Sequence, residues 1–214
     1  MDESLKWLSL VTFYFGSKAL GDPSSDGVVK VAARRAYRDL NRTLRGISTH
    51  KDRDHLVNAT YDSLVSFVSG LNTVTDQSDF DERHARWCRD RIEFFTAHPH
   101  QDRSEFCLNY GQAQKWINMT LKYLAVLGCP AVEKAYAYLH VPVDSIVFDV
   151  AQEPSPGLGV ARPPKQVAWS KLGEEDYLSY QKRLREATAE SYGSPLDWEA
   201  QAWANRLHQK GESA

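Results

Sequence analysis

Apolar positions recur at spacings of three and four along most of this chain, the period of a helix with one buried face. No stretch keeps the alternation of two that a half-buried strand requires. In residues 3–20, Leu5, Leu8, Val11, Thr12 and Phe15 follow the helical spacing, and Gly21-Asp22-Pro23 ends the run. Trp7, Phe13 and Tyr14 make this segment aromatic, and it is expected to be a core helix. In residues 26–45, Ala33, Ala36, Leu40 and Leu44 form an apolar stripe opposite Arg34, Arg38, Arg42 and Arg45, with Lys30 and Arg35 flanking. Leu56, Ala59, Leu64, Phe67, Val68 and Leu71 predict a third helix that stops at Gly70 and Asn72. A polar loop follows, then a fourth helix over 79–97 carrying His84 and Cys88 one turn apart.

The stretch 111–149 carries the most information. It predicts a helix opening near Gln114 and Lys115, a short helix around 131–138, and the box Val141-Pro142-Val143-Asp144 leading into Ser145-Ile146-Val147-Phe148. Pro142 holds the approach extended, and Asp144 is suited to accept hydrogen bonds from the free N–H groups of a helix's first turn. Downstream, Pro154, Pro156, Gly157, Gly159, Pro163 and Pro164 break regular structure and predict a surface loop or lid, in which Arg162 and Lys165 are candidate phosphate contacts. Two further helices are expected, one over 174–190 and one opened by the cap and first-turn proline of Ser194-Pro195. The predicted fold class is therefore all-α. The 214 residues are expected to make a single domain: an N-terminal helical part (1–100), a motif region (101–152), and a loop with scaffold helices (153–214).

Composition narrows the classes. Apolar residues at 42% and charged residues at 25% are ordinary for a globular chain. No apolar run reaches the length of a membrane span, and no signal series opens the sequence, so a cytoplasmic location without membrane association is expected. Cys88, Cys107 and Cys129 are odd in number and widely spaced, which disfavours a disulfide framework or a four-cysteine cluster. His84, Cys88, His98 and His100 lack clear third and fourth ligands, so neither a metal nor another cofactor is expected. The net charge of −2 shifts any argument about polyanion binding from total charge to its distribution. The arginine stripe is the one basic face visible in the sequence; it reads either as a phosphate-tracking surface or as an ordinary solvated face.

Lysine and aspartate at the starts of neighbouring helices are chemically suggestive. A helix N-terminus disfavours an ammonium, and a nearby carboxylate can stabilise a developing cation. The Gln114-Lys115 helix start, Lys122 two turns on, and the Val-Pro-Val-Asp box resemble the helix-hairpin-helix DNA glycosylase superfamily, most of all its archaeal 8-oxoguanine branch. The resemblance covers residues 111–149. Tyr110-Gly111-Gln112 supplies a single glycine where that superfamily has its glycine-rich hairpin.

The resemblance implies a helical fold with a cleft between two subdomains, double-stranded DNA as partner, and a monomer. It implies Lys115 as nucleophile and Asp144 as its carboxylate. Trp116 and Tyr110 would help form the walls around an extruded base, and Gln112, Gln114 and Lys122 would contact the substrate. Arg34, Arg38, Arg42 and Arg45 would grip the backbone. The implied reaction is excision of a modified base, either a hypermodified phage base such as glucosylated hydroxymethylcytosine, in antiviral defence, or 8-oxoguanine in repair. Two other classes fit the residues: a nucleic-acid-binding or adaptor protein without chemistry, and a helical toxin or nuclease using His140 as a general base.

Overall fold

The computed structural model describes residues 2–102, 106–154, 157–163 and 168–212, without the side chains of 207 and 209–212. Every regular element among them is helical: α1 (Glu3–Phe15), α2 (Asp26–Leu40), α3 (Arg53–Gly70), α4 (Gln77–Thr96), α5 (Tyr110–Val126), α6 (Pro130–Lys134), α7 (Ser145–Gln152), α8 (Glu174–Thr188) and α9 (Pro195–Glu212). Short 3-10 turns join several of them. No helix among the described residues is long and apolar enough to cross a membrane.

Helix α5 is the axis of the molecule, packed by α2, α4 and α8 and buried along almost its whole length. Its closest neighbour is α2, whose Ala32, Ala33 and Ala36 present no side chain beyond a methyl and let the two backbones approach. That approach places the fully buried Trp116 against Tyr37, with the indole N–H donating to the Ala33 carbonyl at 3.1 Å. Filling such a site with a tryptophan contributes on the order of 3–5 kcal/mol relative to alanine.

One continuous apolar core runs from α2 to α9 and includes Leu40, Leu64, Phe80, Phe95, Ile117, Leu124, Val147, Tyr180, Leu184 and Trp198. Helix α1 departs from the sequence expectation. Val11 is its one buried residue, whereas Leu5, Trp7, Leu8, Leu10, Phe13 and Tyr14 are exposed. The apolar spacing was real, but among the described residues no second layer covers this helix. Helix α2 ends at Leu40 rather than continuing to residue 45; Asn41–Thr43 tightens into a 3-10 turn, and Arg42 and Arg45 follow the chain as it bends away.

The segment at residues 141–143, flanked by extended Leu139 and Asp144, belongs to no helix or strand among the described residues, so no ladder satisfies its backbone. Two glutamines do so instead. Gln181 of α8 donates to the Val141 carbonyl at 2.7 Å and accepts from its N–H at 3.1 Å. Gln114 of α5 treats Val143 the same way, at 3.0 and 3.3 Å. Each side-chain amide imitates one rung of a β-ladder, so the extended box is clamped between α5 and α8 without a sheet.

Candidate functional site

The clamp delivers Asp144 to the side of α5. Asp144 caps α7, its Oδ1 accepting from the Val147 N–H at 2.9 Å, while its Oδ2 accepts from the Lys115 Nζ at 2.7 Å. Lys115 also donates to the Pro142 carbonyl at 3.1 Å. The lysine side chain is 7% exposed and the carboxylate 17%, so the pair meets solvent on the Asp144 side. Residues 29 positions apart are thereby joined in a short ion pair at the edge of the core.

Lys115 does not lie in the first turn of its helix. Asn109 is the N-cap and Tyr110 the first helical residue, which puts Lys115 in the second turn, where the field of its own helix has largely fallen away. Its amine reaches instead towards the start of α7. There it donates to the Asp144 carboxylate and to the Pro142 carbonyl, so the start of α7, not of its own helix, sets its surroundings.

The other expected substrate contacts separate in space. Trp116 is sealed between α2 and α5 with its N–H already committed, so it has no face to offer a base. The reason is angular: successive residues point about 100° apart around a helix, and the neighbour of Lys115 turns into the core. Tyr110 is buried against Tyr177, its hydroxyl facing Cys88. Lys122 is ion-paired with Glu199 of α9, away from Lys115. Gln114 spends all four hydrogen-bonding positions on Gly111, Val143 and Asn118 and so positions the box rather than reading a substrate. Gln112 completes the α5 capping box and donates to the Thr43 carbonyl at 2.7 Å.

Behind the pair lies a buried polar chain that sequence reading did not find. Asn118 joins Gln114, Tyr177 and His84; Tyr177 joins His140; and His140 meets Asp81, which also pairs with Arg185. One proton arrangement satisfies every member with both imidazoles neutral: Asn118 donates to the Tyr177 hydroxyl, Tyr177 donates to Nδ1 of His140, and the Nε2–H groups of His140 and His84 donate to Asp81 and Asn118. Burial holds His84 well below the usual 6.5, and His140 is lowered by burial too, against the pull of Asp81. This enclosure removes His140 as a surface general base. Burial likewise raises the Cys88 thiol well above its usual range, and among the described residues there is no group of three metal-ligating side chains.

A cleft of about 810 Å³ opens beside the first turn of α5. Arg42, Thr43, Arg45, Phe106, Asn109, Gln112, Ser170 and Lys171 line it, with Asp102 the one acidic group among the described residues. Arg34, Arg38, Arg42 and Arg45 are all exposed, and none makes an ion pair among the described residues. Asp39, the neighbour of Arg38 on α2, accepts a hydrogen bond from Tyr123. Of the flanking cations, Lys30 pairs with Asp62 at 2.6 Å and Arg35 lies over the Tyr14 ring. Arg162 is paired with Asp149; Lys165 lies outside the described residues. Lys171 and Ser170 join the cleft because their 3-10 turn packs directly on α5 at Gly111, a neighbourhood that no local motif announces.

No protein-family model, curated protein or solved structure matches this chain.

Proposed function

We propose that the protein is a DNA N-glycosylase in which Lys115 and Asp144 act on the sugar of an extruded, modified nucleotide. The observation that carries the reading is the 2.7 Å approach of an amine and a carboxylate from separate helices, open to solvent on one side. Arg34, Arg38, Arg42 and Arg45, which make no ion pair among the described residues and lead into a cleft lined by Lys171 as well, support a polyanionic partner.

In the proposed reaction Lys115 first yields a proton to Asp144, which passes it to solvent on its exposed side and is a carboxylate again before the glycosidic bond breaks. The free amine bonds to C1′ as the C1′–N glycosidic bond breaks; the bonding pair leaves with the base, which takes up a proton. The Asp144 carboxylate offsets positive charge on the sugar as it develops. The adduct nitrogen then loses one proton and the C1′–O4′ bond opens, O4′ taking up a proton, to leave a protonated imine, which water hydrolyses to an abasic site with return of the lysine amine or which undergoes β-elimination. A hypermodified pyrimidine is the first substrate to test and 8-oxoguanine the second.

A specific observation favours a second reading. The ammonium is held by two acceptors and is nearly enclosed, as a structural clamp at the start of α7 would be. A protein of that kind would bind DNA without chemistry. Incubation with duplexes carrying glucosylated hydroxymethylcytosine, 8-oxoguanine or unmodified bases, followed by detection of free base, separates the two. Base release from one modified duplex that is lost in Lys115→Gln supports the glycosylase; duplex binding with no release from any of them supports the clamp.

A further inference from the structure

Every large apolar side chain that is exposed among the described residues falls on one part of the surface. Leu5, Trp7, Leu8, Leu10, Phe13 and Tyr14 lie on α1 and Leu20 on the 3-10 turn after it; Val126 and Trp203 complete the set. The Tyr14 hydroxyl meets that of Tyr123 on α5, Val126 is one turn beyond Tyr123, and Trp203 of α9 sits 6.0 Å from the Lys122 amine. The patch is thus α1 and the end of α5 that supports it.

The pattern on α1 is not that of a helix with one wet face. Leu5, Phe13, Leu10, Trp7 and Leu8 succeed one another around the axis at about 60–100° intervals, leaving no polar side. Phe13 is 86% exposed and Leu10 64%. Applied to side chains of ordinary size, the exposed fractions of the patch give on the order of 900 Å² of apolar-residue surface, against about 800 Å² per partner in a standard interface. Such a surface is larger than isolated exposed side chains account for.

We propose that α1 is a homodimerisation element, covered by the same surface of a second copy of this chain. Charge selects this occupant. The charges within α1 are Glu3 and Lys6, which pair with each other at 2.6 Å, so the face offers no net charge to a basic or acidic partner. Helices that lie on lipid carry a polar face rich in lysine and arginine, which α1 lacks. An uncharged apolar surface that meets its own image about a two-fold axis needs no complement from elsewhere.

Sedimentation velocity on the full chain up to about 100 µM tests this, with Phe13→Asp and Leu10→Asp as variants. Both positions face solvent in the single chain, so circular dichroism is expected to be unchanged. The expected result is a concentration-dependent dimer whose dissociation constant rises on the order of a hundredfold or more in each variant, as a charge is forced into each half of the interface. If one variant unfolds, the other and the wild-type association still decide the matter. A wild-type monomer throughout, a dimer indifferent to both substitutions, or a monomer that co-sediments with neutral phosphatidylcholine vesicles overturns the proposal.

Discussion

Changing Asp144 to Asn removes the charge that faces the Lys115 ammonium and leaves a single amide oxygen for both that ammonium and the Val147 N–H, in a place where the lysine is 7% exposed. Changing Lys115 to Met leaves a carboxylate that is 17% exposed and still caps Val147. The two losses therefore differ: Asp144→Asn is expected to cost about 2–3 kcal/mol and Lys115→Met about 1 kcal/mol, read from urea unfolding at neutral pH. Equal costs would show that the enclosure of the amine has no energetic consequence. The buried imidazoles set a pH dependence. His84 is held neutral in the folded protein and protonates near 6.5 when unfolded, so the unfolded chain takes up more protons as pH falls through that value. Its contribution is present above about 6.5 and is lost below it. The urea midpoint is expected to fall between pH 7.5 and 5.5, less so in His84→Asn; an unchanged slope in that variant argues against His84 as the source. At this scale the sequence was partly legible. Asp144 stood out because a capped helix start has its own grammar, and the arginines because their spacing kept them off the apolar stripe; Lys115 stood out through a first-turn position that the helix, starting at Tyr110, does not give it. Trp116 misled because adjacency in sequence is divergence on a helix, and the partners of Lys122 and Gln112 lie on elements whose packing no local pattern records.

Element by element, apolar period located the helices well, since it reports which residues avoid water. It does not report whether anything covers them, and α1 has the same spacing as α3 with most of its large side chains in the open. The extended box between α6 and α7 was legible from Pro142 and Asp144, but its two glutamine partners were not, because a buried amide and an exposed one look alike in sequence. Gly111 shows how tightly the start of α5 is built. A Cβ there would lie 2.0 Å from the Trp169 carbonyl oxygen, and the Gly111 N–H already donates to the Leu172 carbonyl. Alanine is better than glycine in a helix by about 1 kcal/mol, yet Gly111→Ala is expected to destabilise by about 1–3 kcal/mol because the 169–171 turn must move. Thermal unfolding of the variant checks this; a raised midpoint contradicts the close packing of that turn on α5.

For the whole molecule, a charge of −2 hides an uneven distribution, with a chain of arginines that make no ion pair among the described residues on one side and a neutral apolar helix elsewhere. If DNA lies along the arginines, log-log plots of affinity against salt should lose about 0.9 of slope for each phosphate-contacting arginine changed to Gln, across Arg34, Arg38, Arg42 and Arg45. A slope that stays constant places the duplex elsewhere. The central claim is chemical, and borohydride reduction of the protein mixed with modified-base duplex tests it most directly, with the adduct mapped by peptide mass spectrometry. The account predicts a deoxyribose remnant on Lys115, absent in Lys115→Gln and slowed in Asp144→Asn. Base release without any adduct at Lys115, or an adduct on another amine, contradicts it.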